Sequence, residues 1–428
     1  MKATALLQAV NNKELDARLV ELYVDEALLD AQRVRYVEAI EKFIELYGDK
    51  DVEIYSAPGR SEVGGNHTYH QHGKVLATAL NLDAIAIVAP KESDITVVSG
   101  GYNILPVDFT DLDVHEDEMG KSEGLIRGVC KGIKDANGNV GGFEAYVTSN
   151  VLNGAGMSSS AAFEVLIGTI LSYLYNDGNI DAVKIAQIAQ YAENVYFGKP
   201  CGLMDQCACS VGSLINIDFE DPSKPIVKKI DVDFASYAHS LCITDTKGSH
   251  ADLTDAYAAI PAEMKAVAAV FGKEFLREVC PCEFRANIAK VREACGDRAV
   301  IRALHFFQEE DRVDNLVSAL EENRFEDFLA NIKASGNSSY KYLQNVFANF
   351  EDQAGAFGLA FSEDYLVDGK GVSRVHGGGF AGTIQAFVRD DAVEGYKALM
   401  DAIYGEGSCQ ELKIRSIGGA KVCYLLIL

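Results

Sequence analysis

Hydrophobic and polar positions along the chain follow two different periods. Over residues 12–48 the hydrophobic positions repeat every three to four residues, which predicts two helices. Short runs of apolar and β-branched residues predict strands, the first of which ends at the Pro58-Gly59 pair. By the same criteria we predict strands over residues 52–56, 75–88 (broken near Asn81), 95–98, 143–151, 214–217, 241–244, 383–388 and 422–428, and helices over residues 118–133, 158–175, 182–196, most of 250–350 and 391–404.

This order of elements mixes strands and helices without strict alternation, which predicts an α+β fold rather than a doubly wound parallel sheet. The chain has 428 residues and exceeds the usual size of one domain, so we expect two domains. An acidic, proline-bearing stretch at residues 220–225 is the predicted joint. It divides an N-terminal domain, residues 1–225, from a C-terminal domain, residues 226–428.

Charge and cysteine usage narrow the classes of partner. The formal net charge of −24 disfavours nucleic acid and anionic membranes as partners, and a site for a polyanion would need local amides, cations or Mg²⁺. The sequence contains no apolar stretch of 18 residues and no signal-like leader, so we expect a cytoplasmic protein with reduced thiols. Two cysteine groups lack zinc-site spacing and are interpreted as buried free thiols: Cys201, Cys207 and Cys209, and Cys280 and Cys282.

A glycine- and serine-rich turn joins the strand predicted at 143–151 to the helix predicted at 158–175. Glycines let the backbone approach an anion closely, and the first amides of the helix attract a phosphate. Serine hydroxyls could cap the helix, bind phosphate or ligate Mg²⁺. The turn is no Walker A loop, and a capped helix after a tight turn is the alternative. Its residues are Gly154, Ala155, Gly156, Met157, Ser158, Ser159 and Ser160.

Three further clusters carry candidate chemistry. Arg60 follows Ala57-Pro58-Gly59, where its guanidinium could hold negative charge. Asp205 follows Cys201-Gly202-Leu203-Met204 near a predicted helix start, where the helix dipole favours its ionised form. Residues 377–382 are glycine-dense, as expected where backbone amides crowd a ligand. Each cluster also has a purely structural interpretation. The segment that ends at Arg60 could be an ordinary surface turn, Asp205 could cap its helix, and the glycine-dense residues could mark a crossing of two backbones.

In this order the four clusters resemble the motifs of the GHMP small-molecule kinases, and among these the galactokinase family. The similarity runs from about residue 50 to the C-terminus. It implies a two-domain α+β GHMP kinase fold with the active site in the interdomain cleft, and ATP and Mg²⁺ as cofactors. The implied reaction is phosphorylation of the anomeric C1 hydroxyl of a galactose-like hexose, giving a sugar 1-phosphate and ADP.

The resemblance also implies roles for individual residues. Asp205 would orient the sugar hydroxyl or act as its general base, and Arg60 would keep Asp205 ionised and stabilise the transferring phosphoryl group. Residues 154–160 would bind ATP, and Ser160 and Glu193 would ligate Mg²⁺. The implied sugar contacts are Asn66, His67, Tyr69, Asp205, Tyr257, Gly378 and Gly379. Without the motif, Glu193 would be interpreted as a solvated helix residue and Tyr257 as a packed aromatic.

The sugar-recognition segment departs from the family pattern. Galactokinases typically have Gly-Glu-His-Thr-Asp-Tyr-Asn here, whereas this chain has Asn66 in place of the glutamate and Tyr69 in place of the aspartate. In the family, the aspartate accepts hydrogen bonds from galactose hydroxyls, and such a bond to a charged acceptor contributes about 1.5–3 kcal/mol. The ring of Tyr69 would collide with galactose in its usual position unless the pocket is rebuilt. The alternatives are therefore a kinase for an amino sugar, a pentose or a modified hexose, or a non-catalytic sensor. The presence of Arg60 and Asp205 favours a kinase.

Overall fold

The computed structural model of the chain describes residues 1–100, 102–151, 156–248, 253–347, 349, 351–380 and 382–423. In the part of the chain so described, the strands form two sheets. The strands are β1 (Glu53–Gly64), β2 (Lys74–Lys91), β3 (Ile95–Ser99), β4 (Tyr102–Asn103), β5 (Gly142–Ser149), β6 (Leu214–Asp218), β7 (Ile226–Ile230), β8 (His239–Asp245), β9 (Gly371–Val375), β10 (Thr383–Arg389), β11 (Cys409–Leu412) and β12 (Ala420–Lys421).

The helices cover both sheets and account for most of the remaining regular structure. They are α1 (Ala3–Asn11), α2 (Asp16–Tyr23), α3 (Leu29–Tyr47), α4 (Ser122–Asp135), α5 (Ser159–Tyr175), α6 (Ala182–Tyr191), α7 (Met204–Val211), α8 (Thr254–Val270), α9 (Pro281–Ala286), α10 (Ile288–Cys295), α11 (Asp297–Glu321), α12 (Phe325–Ser338), α13 (Ala354–Tyr365) and α14 (Val393–Tyr404).

The first sheet has the strand order β12-β1-β2-β5-β3-β4, and β6 pairs with the other end of β2 and with β7. Side chains of β1 and β2 alternate between two buried faces. Ile54 and Ile85 pack with α1–α3, whereas Tyr55 and Ala86 pack with α4–α6. Because both faces are covered, residues 84–89 of β2 form a continuous hydrophobic run instead of an alternation of apolar and polar residues.

The second sheet is antiparallel, in the order β11-β8-β10-β9. Its strands obey the same period of two. Cys242 and Ala386 belong to a cluster with α13 and α14, whereas Leu241 and Phe387 join the main core together with Phe328 of α12. The main hydrophobic core therefore spans both sheets, and the α+β class predicted from the sequence is confirmed.

Several predicted boundaries differ from the structure. The strand predicted to end at Pro58-Gly59 continues to Gly64, with register shifts on either side of Arg60. A side chain at position 59 would crowd the carbonyl of Met157, so glycine lets another backbone come close here. The break predicted near Asn81 is wrong, because β2 is continuous. The helix predicted to reach residue 196 ends at Tyr191, and a π-helical turn, Ala192–Phe197, follows it.

Other expectations meet mixed outcomes. Helix α1 precedes the two helices predicted over residues 12–48. The interpretation of Cys280 and Cys282 as free thiols is wrong, since they form a disulfide, whereas Cys207 and Cys209 are free and buried as expected. Most of the strand predicted at 422–428 lies outside the described residues.

No helix in the described part of the chain is long and apolar enough to cross a membrane.

The predicted joint at residues 220–225 connects β6 to β7, which pair antiparallel in the first sheet. The first sheet thus extends past residue 225, and its edge strand β12 comes from residues 420–421. The division into domains 1–225 and 226–428 stays a prediction.

A buried carboxylate, Asp83, ties the N-terminal helices to β1 and to the C-terminal segment. It accepts hydrogen bonds from Tyr23 (2.8 Å), Arg35 (2.6 Å), Arg415 (3.0 Å) and Ser56. Burial alone would raise the pKa of Asp83, but the charges of Arg35 and Arg415 outweigh burial and lower it. The network therefore depends on an ionised carboxylate.

We expect Asp83→Asn to lower the free energy of unfolding by about 3–5 kcal/mol, because the buried guanidinium of Arg415 and the partly buried one of Arg35 lose their counter-charge. Urea denaturation measures this change. Asp391→Asn, at a carboxylate that is 68% exposed beside Arg389, is the matched control and should stay within about 0.5 kcal/mol of the wild type. Equal stability of the two variants would contradict the role given to Asp83.

Candidate active site

A cavity of about 590 Å³ brings together most of the residues predicted to form the site. Its lining includes these predicted residues: Arg60, His67, Tyr69, Gly156, Ser158, Ser159, Ser160, Glu193, Asp205, Tyr257 and Gly378. Gly154 and Ala155, predicted to bind ATP, lie outside the described residues. Met157 is buried, and its carbonyl accepts a hydrogen bond from the backbone N–H of Arg60 (3.1 Å).

Arg60 and Asp205, which both line the cavity, form a bidentate ion pair. Nε of Arg60 donates to Oδ1 of Asp205 (2.7 Å), and Nη2 donates to Oδ2 (2.6 Å). Arg60 projects from β1, and Asp205 is the second residue of α7, as the sequence predicted. The remaining guanidinium nitrogen of Arg60 donates to the carbonyl of Gly156. The guanidinium of Arg60 thus connects the turn predicted to bind ATP to Asp205, the predicted catalytic residue.

The surroundings of Asp205 favour its ionised form. Burial would raise the pKa of Asp205, but the charge of Arg60 and hydrogen bonds from Arg60 and Ser158 outweigh it, so the pKa is lowered. The Asp205 side chain keeps 29% of its surface exposed, whereas the Arg60 side chain keeps 9%. Asp205 is therefore a carboxylate at neutral pH with surface left open to the cavity.

Ser158 takes a role that differs from helix capping. It stands at the N-cap position of α5 with φ of 57°, yet its side chain makes no cap hydrogen bond. Its hydroxyl donates to Oδ2 of Asp205 instead. Since the first amides of a helix lack intrahelical partners, the N-terminus of α5 keeps its capacity to bind an anion.

Ser160 and Glu193, the predicted metal ligands, lie side by side. Oγ of Ser160 donates to Oε1 of Glu193 (3.3 Å), and Glu193 lies in the π-helical turn after α6 instead of on the predicted helix face. Gln206 donates to Glu193 (2.8 Å) and to Glu164 (3.2 Å), and the other carboxyl oxygen of Glu164 is buried with no hydrogen-bond partner among the described residues. The described residues include no group of three or more metal-ligating acids, histidines or cysteines.

His67 and Tyr257 lie in another part of the cavity, against the glycine-dense segment that begins at Gly377, named here the third glycine cluster. Nε2 of His67 is 2.9 Å from the carbonyl of Gly378, and the hydroxyl of Tyr257 donates to the carbonyl of Gly379 (2.7 Å). Burial lowers the pKa of His67 to about 4, so its imidazole is neutral and donates through Nε2. Both residues line the cavity, and the sugar contacts predicted for them stay a prediction.

The two glycines predicted to contact sugar are required for different reasons. A Cβ at Gly378 would lie 2.5 Å from the ring of Tyr257. Gly379 has φ of +78°, and a Cβ there would collide with the backbone carbonyl of Asn345. Gly378 lines the cavity, whereas Gly379 is not among the lining residues and marks a crossing of two backbones. The sugar contact predicted for Gly379 stays a prediction.

Asn66 is fully buried and does not line the cavity. Its amide nitrogen donates to Glu62 (2.9 Å) and to the carbonyl of Gly377 (2.6 Å). Its amide oxygen accepts from Ser339 (3.1 Å) and Asn345 (2.8 Å). Protein groups occupy both ends of the amide, which gives Asn66 a structural role, and the sugar contact predicted for it stays a prediction.

Comparisons with known proteins agree with this site. A model of the GHMP kinases N terminal domain matches residues 124–213, and a galactokinase galactose-binding signature matches residues 41–90. The galactokinase of Streptomyces coelicolor is 30% identical over 374 residues, covering 86% of this chain and 92% of that protein. The chain belongs to the galactokinase family. The galactokinase of Clostridium tetani is 27% identical over 374 residues, covering 86% of this chain and 92% of its own length.

Solved structures share the fold. The crystal structure of Lactococcus lactis galactokinase complexed with galactose matches with a TM-score of 0.75 at 23% identity, covering 89% of this chain and 98% of that one. Methanococcus jannaschii mevalonate kinase matches with a TM-score of 0.61 at 13% identity, covering 85% and 98% of the two chains. The GHMP kinase fold predicted from the motifs is confirmed.

Tyr69 occupies the family's aspartate position in this galactokinase-family chain. Its ring packs against Gly202, where a Cβ would lie 2.5 Å from a ring carbon. Burial raises the pKa of Tyr69, and the charges of Asp205 and Glu62 add to that shift, so its phenol is neutral. The backbone at Gly202 therefore accommodates a ring that a side chain at that position would exclude.

Two residues of the site were missed by the sequence analysis. Glu62 lines the cavity two residues after Arg60, and in a strand such residues share a face. The signal was lost because β1 was predicted to end before Arg60. Lys199 lines the cavity and pairs with Glu193 (3.3 Å), and its side chain is 63% exposed. Lys199 lies two residues before Cys201, but a single surface lysine carries no distinguishing pattern.

We expect Asp205→Asn to lower kcat by about 10²–10⁴-fold, since the amide cannot accept the hydroxyl proton. Binding of ATP should change little, and calorimetry with a non-hydrolysable ATP analogue checks this. Asp391→Asn serves as the control. Full activity of Asp205→Asn would remove Asp205 from the mechanism.

The acidic limb of kcat/KM should lie below the ordinary aspartate pKa of about 3.9, because the lowered pKa keeps Asp205 ionised. Activity falls as pH falls through that pKa. In Arg60→Met burial remains and the guanidinium is lost, so the limb should move to higher pH, whereas Arg60→Lys should move it less. Profiles of residual activity measure the shift, and an unmoved limb in Arg60→Met would separate Arg60 from the ionisation of Asp205.

Proposed function

We propose that this chain transfers the γ-phosphoryl group of ATP to the anomeric C1 hydroxyl of a galactose-like hexose, giving a sugar 1-phosphate and ADP. The observation that supports this most is the contact between Asp205, Arg60 and the serine turn before α5. It places an ionised carboxylate beside the helix N-terminus that suits a triphosphate. Family membership supports the same reaction.

In the proposed mechanism Asp205 orients the attacking hydroxyl and receives its proton. A carboxylate with a lowered pKa is a weak base, so positioning is its larger contribution and proton transfer comes late. Arg60 stays beside Asp205 and is placed to stabilise charge on the transferring group. Phosphoryl transfer depends chiefly on such positioning and electrostatic stabilisation.

The residues at the other end of the cavity fit the proposed cofactors. Residues 156–160 and the N-terminus of α5 would hold the phosphates, with Lys199 as an additional cation. Ser160 and Glu193 offer the hydroxyl and carboxylate oxygens that Mg²⁺ prefers, and Mg²⁺ commonly binds through one or two protein groups plus phosphates. When bound, Mg²⁺ would neutralise charge on the phosphates. Because the reaction consumes ATP, we also propose the cytoplasm as its location.

A second candidate acceptor is a modified hexose, an amino sugar or a pentose. Tyr69 favours it, because a neutral phenol stands where the family's aspartate would accept hydrogen bonds from galactose. A non-catalytic sensor is less well supported, since Arg60, Ser158, Ser160, Glu193 and Asp205 are all present and most are in contact with one another.

ADP release measured with a panel of sugars tests the proposal, and ³¹P NMR identifies the phosphorylated position. We expect turnover with at least one hexose, a sugar 1-phosphate as product, and loss of turnover when EDTA removes Mg²⁺. If D-galactose is clearly the best substrate, the modified-sugar candidate falls. Binding of sugar and ATP without any turnover would instead favour the sensor.

A further inference from the structure

Glu62 is a carboxylate of the cavity to which the proposed mechanism gives no task. It lies on β1 two residues after Arg60, so the two side chains leave the same face of the strand. The residue retains only 2% of its surface exposed, yet it lines the cavity together with His67 and Tyr69. Buried carboxylates are rare unless they are paired, which raises the question of what Glu62 binds.

Protein groups satisfy one half of the Glu62 carboxylate. Its Oε1 accepts from Nη2 of Arg374 (2.8 Å) and from the amide nitrogen of Asn66 (2.9 Å). For Oε2 the described residues provide no hydrogen-bond donor, and this oxygen is not among the fully buried ones. Burial raises the pKa of Glu62 in spite of Arg374, Asn66 and Arg60, which fits an acceptor with unused capacity.

The other acids that line the cavity already have partners. Asp205 is held by Arg60 and Ser158, and Glu193 is held by Ser160 and Gln206 at the phosphate end. Tyr69 is neutral, and Asn66 points its amide at Glu62 and Gly377. Glu62 is thus the carboxylate left to receive a donor at the sugar end.

We propose that Oε2 of Glu62 accepts a hydrogen bond from a ring hydroxyl of the acceptor, and that Glu62 thereby selects an uncharged sugar bearing that hydroxyl. This inference depends on the proposed kinase function. The carboxylate that the family has at position 66 is present here at position 62, in contact with the amide at position 66. A sugar acid placed against Glu62 would bring two carboxylates together, so uronic acids should be rejected.

The test compares wild type and Glu62→Gln with the best hexose, its monodeoxy analogues and the corresponding uronic acid. Since a charged hydrogen bond is lost, we expect the wild type to discriminate against one deoxy sugar by about 10- to 100-fold in kcat/KM. In Glu62→Gln this ratio should fall to within about threefold while the ratios for the other deoxy sugars stay unchanged. An equal fall of kcat/KM for all the sugars would mean that Glu62 only holds Arg374 in place, and would overturn the inference.

A second variant covers the case in which Glu62→Gln does not fold. The variant Glu62→Asp keeps a carboxylate for Arg374 and Asn66 but shortens the side chain by one methylene, which draws the acceptor oxygen back from the cavity. It should lose the wild-type pattern of discrimination, and an unchanged pattern would contradict the proposal. Asp391→Asn is the control that should keep the wild-type pattern.

Calorimetric binding of the same sugars separates this inference from the proposed function. If the wild type turns over no sugar, the kinase proposal fails, while selective loss of affinity for one deoxy sugar would still support Glu62. If turnover occurs and Glu62→Gln keeps the wild-type discrimination in both assays, the kinase proposal stands and the role of Glu62 is excluded.

Discussion

The site depends on keeping one partly buried carboxylate charged. Taking a charge out of water is unfavourable unless it is paired and hydrogen-bonded, and Asp205 meets this condition through Arg60 and Ser158. Since Arg60 also donates to the carbonyl of Gly156, the same guanidinium fixes the distance between the serine turn before α5 and Asp205. Moving either partner would disturb charge and geometry together, so β1, α5 and α7 act as one unit.

Binding a triphosphate in a chain with a net charge of −24 requires local compensation. The N-terminus of α5, Arg60 and Lys199 supply positive potential at the phosphate end. Burial and the charge of Glu193 raise the pKa of Glu164 well above its ordinary value, which lowers the negative charge carried by these two neighbouring acids. The site is thus less acidic than the composition of the whole chain suggests.

The sequence was most informative where the chemistry is local. The Asp205 helix start, the serine turn and the order of the motifs could be predicted because each depends on neighbours within a few residues. The hydrogen bonds of Asn66 to Asn345 and Gly377 could not be predicted, because both partners are distant in sequence. The close approach of Gly379 to Asn345 could not be predicted for the same reason. Glu62 was missed because the end of β1 was predicted wrongly. Pro58-Gly59 normally ends a strand, but here the close approach of Met157 makes glycine necessary inside one.

The segment that contains Asn66 and His67 is tied to the third glycine cluster, because hydrogen-bond donors face the carbonyls of that cluster. Gly377 accepts from Asn66, Gly378 from His67 and Asn345, and Gly379 from Tyr257. A glutamate at position 66 could not donate to Gly377, and it would bring a second negative charge beside Glu62. Positions 62 and 66 are therefore coupled, because an acid at one of them requires a donor at the other. An acid at position 66 would lose the donor to Gly377 whichever residue stands at position 62, so the third cluster stays against β1 only while the carboxylate of this pair is at position 62.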